Sequence, residues 1–581
     1  MRPRRLRSAV TACLIAAGVM LAALACSGAG PGPDPADLMI LNARVQTQDE
    51  ARPRAEAVAI RGDRIAWVGD AVDAYRWRGA ATRVIDAGGR ALLPGFIDSH
   101  NHIMMGGDPD VATLGDAASF EDLKKAVRDF AVAHPDLQWI EGEGWNYGAL
   151  PGGRRPVAAD LDGLTTGRPA FLVSYDAHTV WLNREALRRL GIGRSTTRLP
   201  YGEVEHDPRT GEPTGFLTGF ATLGLSSNGR QALAGTLPSY SEARRADRLR
   251  RNLETAARFG ITTIVEPQAF PEDLPLFRRL REAGHLKQRL QIALFHPRGT
   301  GAGDLERFEA ARREYADDRI RVAAIKLYID DVIEPHTAAM LEPYADAPGT
   351  RGDTIYPPAE FNEVVARLDA LKFQLFIHAI GDRGIRTALD ALEQARSVNG
   401  PRDSRHQLVH IECLSPQDAP RFRALGVTAC MQPRHCGPEI AARWGEAVGA
   451  PRWDHAWAFR TLSEAGATLA FASDWNVAEM EPVIGIYSAV TRAGIDGRPA
   501  GPWGAAQTID VGAAIRAYTL NGAWANFLDT NRGSITAGKY ADLILLSDDL
   551  MEIPPAAIPR TRVLLTLVGG QEVHRDPALG I

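Results

Sequence analysis

The chain has 581 residues, 45% hydrophobic and 24% charged, and its 66 basic and 71 acidic side chains leave a net charge of −5. That composition excludes a disordered or fibrous chain, and the absence of a long basic block excludes a dedicated nucleic-acid binder, which needs a concentrated basic surface. Five cysteines without a CxxC pair (Cys13, Cys26, Cys413, Cys430, Cys436) exclude a disulfide framework and a structural zinc ribbon.

The first element reads as an address. Arg2, Arg4, Arg5 and Arg7 precede an uncharged apolar run from Ser8 to Ala25, the pattern of a secretory leader. A membrane-spanning anchor is the alternative, but it needs about 20 apolar residues, usually bulkier ones. Ala-Leu-Ala before Cys26 resembles a bacterial lipobox, in which residues 1–25 are a cleaved signal peptide and Cys26 becomes the lipidated N-terminus of a lipoprotein. A plain signal peptide with an incidental cysteine is the other reading. Residues 26–36 then form a flexible tether. The expected location is the cell envelope, lipid-anchored and facing the periplasm or exterior, with Ser27 pointing to the outer membrane.

Residues 37–93 read as short strands, with Gly62-Asp63 as a hairpin turn, and residues 531–581 resume that texture in YADLILLSDD and TRVLLTLVGGQEVHR. Both ends are therefore expected in one small β-sandwich. Residues 94–530 carry apolar runs followed by amphipathic helices. Phe373 to Ile377 is a strand buried on both faces, followed by a helix with Ile385, Leu389 and Leu392 on one stripe. ITTIVEP, VAAIKLY, HQLVHIE, VTACMQP and ATLAFASD repeat the strand half of this unit. Such repetition predicts an α/β fold, a (β/α)8 TIM-like barrel or a doubly wound sheet. Residues 106–256, rich in turns and aromatics, read as a large insertion after the first barrel strand.

The chemistry starts at LLPGFIDSHNH. Residues i and i+2 on a strand face the same way, so His100 and His102 can meet one metal ion. Four later apolar runs also end in candidate ligands, at Lys326, His378, His410 and Asp474, and barrel enzymes collect their catalytic groups at the ends of strands.

This order of residues resembles the amidohydrolase superfamily. PGFIDSHNH, GITTIVEP, SDWNVAEMEPVIGIYSAVTR, YTLNGAWA and GSITAGKYADLILL are similar to its amidohydrolase family 3 branch, which includes N-substituted-formamide-deformylase-like proteins. The resemblance covers nearly the whole mature chain and implies the barrel, the two-ended sandwich and a divalent metal cofactor, zinc foremost, as one or two ions. It implies that His100, His102 and Asp474 bind one metal, that Lys326 is carboxylated by CO2 and bridges two, and that His378 and His410 hold the second. An unmodified Lys326 beside a single ion is the alternative. The sequence departs from the branch at Asp331, where glycine is common, and at His336, where arginine is usual.

The implied function is hydrolysis of a C–N bond in an amide, formamide, carbamate or cyclic imide of a small molecule by a metal-activated water. Asp474 would act as general base and acid. His178, in YDAHTVWLN, is a candidate for stabilising the oxyanion or binding substrate, against a plain surface histidine. Trp145, Trp181, Trp475, His435 and Arg492 are candidate substrate contacts, each with packing or a salt bridge as the plainer reading. As an extra metal ligand His435 is disfavoured, because five ligands already fill the site. Rival readings are the same site used for deamination or ester and lactone hydrolysis, and a non-catalytic envelope binding protein. The oligomeric state is left open.

Overall fold

Eight strands of almost wholly buried residues form one parallel sheet, each paired with the next in chain order. They are β1 (Phe96–Asp98), β2 (Ile261–Ala269), β3 (Arg289–Phe295), β4 (Ile320–Tyr328), β5 (Gln374–Ala379), β6 (Gln407–His410), β7 (Thr428–Met431) and β8 (Thr468–Phe471). Beyond the sheet edges, Ser99 N donates to Phe471 O at 3.2 Å and Asp474 N to His100 O at 2.8 Å, which closes the sheet into a barrel and rules out the doubly wound alternative. In this computed structural model the described residues are 34–579 apart from 197, 200–201, 220–237, 239–240 and 499–503. The expected leader 1–25 and Cys26 therefore lie outside the described residues. No helix among the described residues is long and apolar enough to cross a membrane.

Side chains alternate along the strands as a period of two requires. Ile325 and Leu327 of β4 face outward into the main core, whereas Ala324 faces inward with Val265, Ala293, Phe376, Val409, Cys430 and Ala472. Small residues and one phenylalanine fill the barrel, so it is a packed core and not a pore.

The helix α1 (Glu242–Arg258) starts at Ser241, whose side chain accepts from Arg244 N, and buries Leu249, Leu253 and Ala256 in the core outside the barrel strands. Burying each leucine contributes roughly 2 kcal/mol. The helix links β1 to β2 and belongs to the barrel, so the insertion ends before it rather than at residue 256. The error has a physical reason: its six arginines mask a narrow apolar stripe. The helix α2 (Asp382–Asn399) buries Ile385, Leu389 and Leu392 as expected and stops at Gly400, whose φ of +82° suits glycine.

Two sheets build the sandwich. Leu38–Leu41, Ala57–Arg61, Arg64–Gly69 and Arg83–Asp86 form one, with the hairpin at Gly62-Asp63. In the other, Ala91–Pro94 pairs with Leu543–Leu546, which joins the two chain ends. Ile40, Val58, Leu92, Leu545 and Leu565 share one core between the sheets. The insertion forms a seven-stranded sheet from Ala112 to Gly219 with its own buried clusters.

Candidate metal and active site

The barrel mouth gathers the predicted ligands. His100 and His102 follow β1 directly, and their Nε2 atoms lie 3.4 and 3.3 Å from Asp474 Oδ1. Asp474 follows β8 and is held in the left-handed region, φ +58°. Asp98 fastens these two strand ends together. Its Oδ1 accepts from Ser473 N at 2.9 Å, and its Oδ2 accepts from Ser473 Oγ at 2.6 Å and Asn101 Nδ2 at 2.8 Å. Lys326 Nζ, fully buried on β4, is 3.3 Å from His100 Nε2.

The far side of Asp474 meets other histidines. His410 Nδ1, at the end of β6, and His435 Nε2, after β7, each lie 3.7 Å from Asp474 Oδ2. His410 Nδ1 also lies 3.0 Å from Gln432 Oε1. Two groups thus share one carboxylate, His100–His102–Asp474 and His410–His435–Asp474. Nitrogen and oxygen ligands about 2.0–2.2 Å from a tetrahedral ion stand about 3.3–3.6 Å apart, so the first group fits a divalent metal and the second lies just beyond that spacing. His378 on β5 stands beside His410, ring centroids 4.5 Å apart, with its Nε2 3.2 Å from Asp331 O.

Protonation suits ligation. Burial, then neighbouring Lys326 or histidines, pushes His100, His378 and His410 well below the ordinary imidazole range, so they are neutral. A metal needs that form. Burial alone would raise Asp474, but the hydrogen bond from His102 and the surrounding imidazoles overcome it and hold this carboxyl well below its usual range. Burial also pushes Lys326 down to about 7. The buried atoms His100 Nδ1 and His378 Nδ1 have no hydrogen-bond partner among the described residues. His178 stands over the cleft with Nδ1 on Asp331 and its backbone N on Asp176 Oδ1 at 2.9 Å. Burial opposes its charge, but Asp331 and then Asp176 raise its pKa.

The sequence pattern of the amidohydrolase family matches residues 83–574. The chain belongs to the amidohydrolase family. N-substituted formamide deformylase of Arthrobacter pascens is 28% identical over 551 residues, spanning 92% of this chain and 97% of that protein. The protein LONG AFTER FAR-RED 3 of Arabidopsis thaliana is 29% identical over 561 residues, spanning 94% and 92%. An uncharacterised metal-dependent hydrolase from Pyrococcus furiosus superposes with a TM-score of 0.67 at 23% identity, covering 89% of this chain and 100% of that one, a likeness of fold.

Three expectations for this amidohydrolase change. Trp145 and Trp181 are fully buried inside the inserted sheet, where their indoles donate to Leu172 O at 3.3 Å and Val157 O at 3.0 Å. They are core and form no substrate wall, because an aromatic-rich stretch folded into its own sheet needs its own core. Arg492 is buried over the Phe459 ring and donates to Trp457 O, so its guanidinium braces the backbone instead of lining the cleft. His435, expected only as a pocket residue, stands with His410 and Asp474. Trp475 donates to Met105 O at 2.8 Å, and His336 pairs with Asp346.

The cleft is lined from the barrel by His102, His378, His410 and Asp474 and from the insertion by Asp176 and His178, so the insertion supplies part of the wall over the ligands. Sequence reasoning missed Asp98, although an acid inside an apolar strand was a readable signal. It also missed Gln432, Glu334 and Glu412, whose proximity arises only when the barrel closes.

Proposed function

We propose that this amidohydrolase cleaves a C–N bond in an amide, formamide, carbamate or cyclic imide of a small molecule, with a divalent metal, zinc foremost, held by His100, His102 and Asp474. The observation that carries the reading is the convergence of two imidazoles and an ionised, buried carboxylate within 3.4 Å at the barrel mouth. A divalent ion there lowers the pKa of water and polarises a carbonyl. Asp474 has a low pKa and an oxygen toward each histidine group, so it can take the proton of an attacking water and return it to the departing amine. His178, oriented by Asp331, donates a hydrogen bond toward the charge that develops on the carbonyl oxygen.

Lys326 supports a second ion in the same proposal. With its pKa near 7, part of the amine is neutral and can add to CO2, which forms an N–C bond and releases a proton. The carbamate would supply anionic oxygens to an ion that His378 and His410 would also hold. Lipid anchoring at Cys26, with the barrel in the cell envelope, is likewise proposed from the leader pattern; loss of membrane attachment in Cys26→Ser tests it. For the activity, the zinc-loaded protein is assayed on formamides, amides and matched esters. Amine release from formamides or amides is expected, whereas cleavage of the esters alone sinks the C–N reading.

A further inference from the structure

The connection between the sandwich strands Arg64–Gly69 and Arg83–Asp86 presents apolar side chains to solvent. It consists of a short helix, Ala71–Ala74, and a 3-10 turn, Tyr75–Trp77. Ala74 is buried, and Trp77 packs with Trp67 on the outer face of the sheet, against Met39, Leu41, Ala57 and Ala59. Val72 and Tyr75, three positions apart, share the opposite side and are 81% and 60% exposed. The other exposed large hydrophobic side chains among the described residues, Val132, Val398, Ile495 and Met551, stand singly along the chain. Exposed Arg76 and Arg78 alternate with the aromatic residues of this turn. Its two acids each lie against an arginine, Asp73 at 3.4 Å from Arg76 and Asp70 at 4.0 Å from Arg52.

A separate observation is where the chain enters the fold. Ala36 N donates to Trp77 O at 2.8 Å, Thr82 Oγ1 donates to Ala36 O at 2.6 Å, and Pro35 packs so close to Gly79 that a Cβ there has no room. The chain start is thus stapled to this same turn. Only residues 27–33 separate Cys26 from Asp34, and a chain of that length reaches at most about 28 Å. A lipid on Cys26 therefore keeps this turn near the bilayer, whichever way the barrel points. At such an interface aromatic rings sit among the headgroups, and each arginine gains about 1 kcal/mol from anionic lipid. We infer that Val72, Tyr75, Arg76 and Arg78 form a contact face for an anionic bilayer surface. The two apolar side chains enter the headgroup region, the arginines meet lipid phosphates, and the body rests on the membrane through its sandwich. The inference rests on the lipid-anchor reading given above. Two side chains bind too weakly to replace the lipid, so the face orients an anchored protein.

The test labels the membrane-bound protein at single positions. Cys413, Cys430 and Cys436 are buried, so a thiol-reactive fluorophore goes to the site opened by Val72→Cys, Tyr75→Cys or the control Val398→Cys, 68% exposed near the end of α2. These exposed positions tolerate substitution. The lipidated protein is placed in vesicles of phosphatidylethanolamine and phosphatidylglycerol, part of the lipid carrying a quencher at its headgroup. Labels at 72 and 75 are expected to be quenched at least about twofold more than the label at 398. Equal quenching at the three positions overturns the face. Mass spectrometry of the same sample reads the lipid on Cys26 independently, so equal quenching with the lipid present ends the face while the anchor stands. If Cys26 carries no lipid, the anchor reading fails and the unlipidated protein is sedimented with the same vesicles. Binding that Val72→Ser plus Tyr75→Ser weakens about tenfold keeps the face, whereas no binding, or binding that the two substitutions leave unchanged, ends it.

Discussion

The inserted sheet and the barrel mouth both bury polar groups, and they treat them in opposite ways. In the insertion every such group named here is matched. Trp145 and Trp181 donate to carbonyls, and Tyr147 OH lies 3.0 Å from both Asp176 Oδ2 and Thr179 Oγ1. At the barrel mouth His100 Nδ1, His378 Nδ1 and His435 Nε2 are buried without a partner. An unmatched buried polar atom costs about 1–3 kcal/mol, so several in one place need an offset that the protein alone does not contain. Among the groups named here, the paired ones belong to the inserted core and the unpaired imidazole nitrogens gather at the ligand cluster.

Substitutions can break that contrast. Asp474→Asn should lower turnover about 10⁴-fold with little change in melting temperature; an active variant removes the general-base role. Trp145→Ala should cost roughly 3–5 kcal/mol in urea unfolding while kcat/KM per folded molecule holds. Unchanged stability with a raised KM would instead restore Trp145 as a substrate wall. Asp98→Ala leaves Ser473 and Asn101 donors unpaired at the junction of β1 and β8, so about 1–3 kcal/mol of stability and about tenfold in zinc affinity should go. Competition with a chelator reads the second number, and unaltered affinity would show that Asp98 only supports the fold. The smallest effect is expected at Arg492→Lys, where KM should move little, because the guanidinium binds the Trp457 backbone and not the substrate. A KM rise there would return Arg492 to the substrate.

Much of the fold was legible because periodicity and strand-end placement are local. His100, His102, Lys326, His378, His410 and Asp474 each end or follow an apolar run, and the barrel brings all six to one mouth. The boundary of the insertion was not legible, since the arginines of α1 hide which face is buried. Nor was the division of labour among aromatics: a tryptophan in a turn-rich stretch carries no mark of whether it meets substrate or an indole neighbour. Glu334, Glu412 and His435 come from separate loops after β4, β6 and β7. Their meeting is set by barrel closure, which no spacing records.

The central claim is that the unpaired imidazoles and Asp474 hold a catalytic metal. Elemental analysis of the purified protein, read beside formamide hydrolysis in the same sample, tests it most directly. About one or two divalent ions per chain are expected, lost together with activity in His100→Ala plus His102→Ala and restored by neither zinc nor other divalent ions. Less than about one ion per chain in a protein that still hydrolyses, or metal and activity that survive the double substitution, would contradict the account.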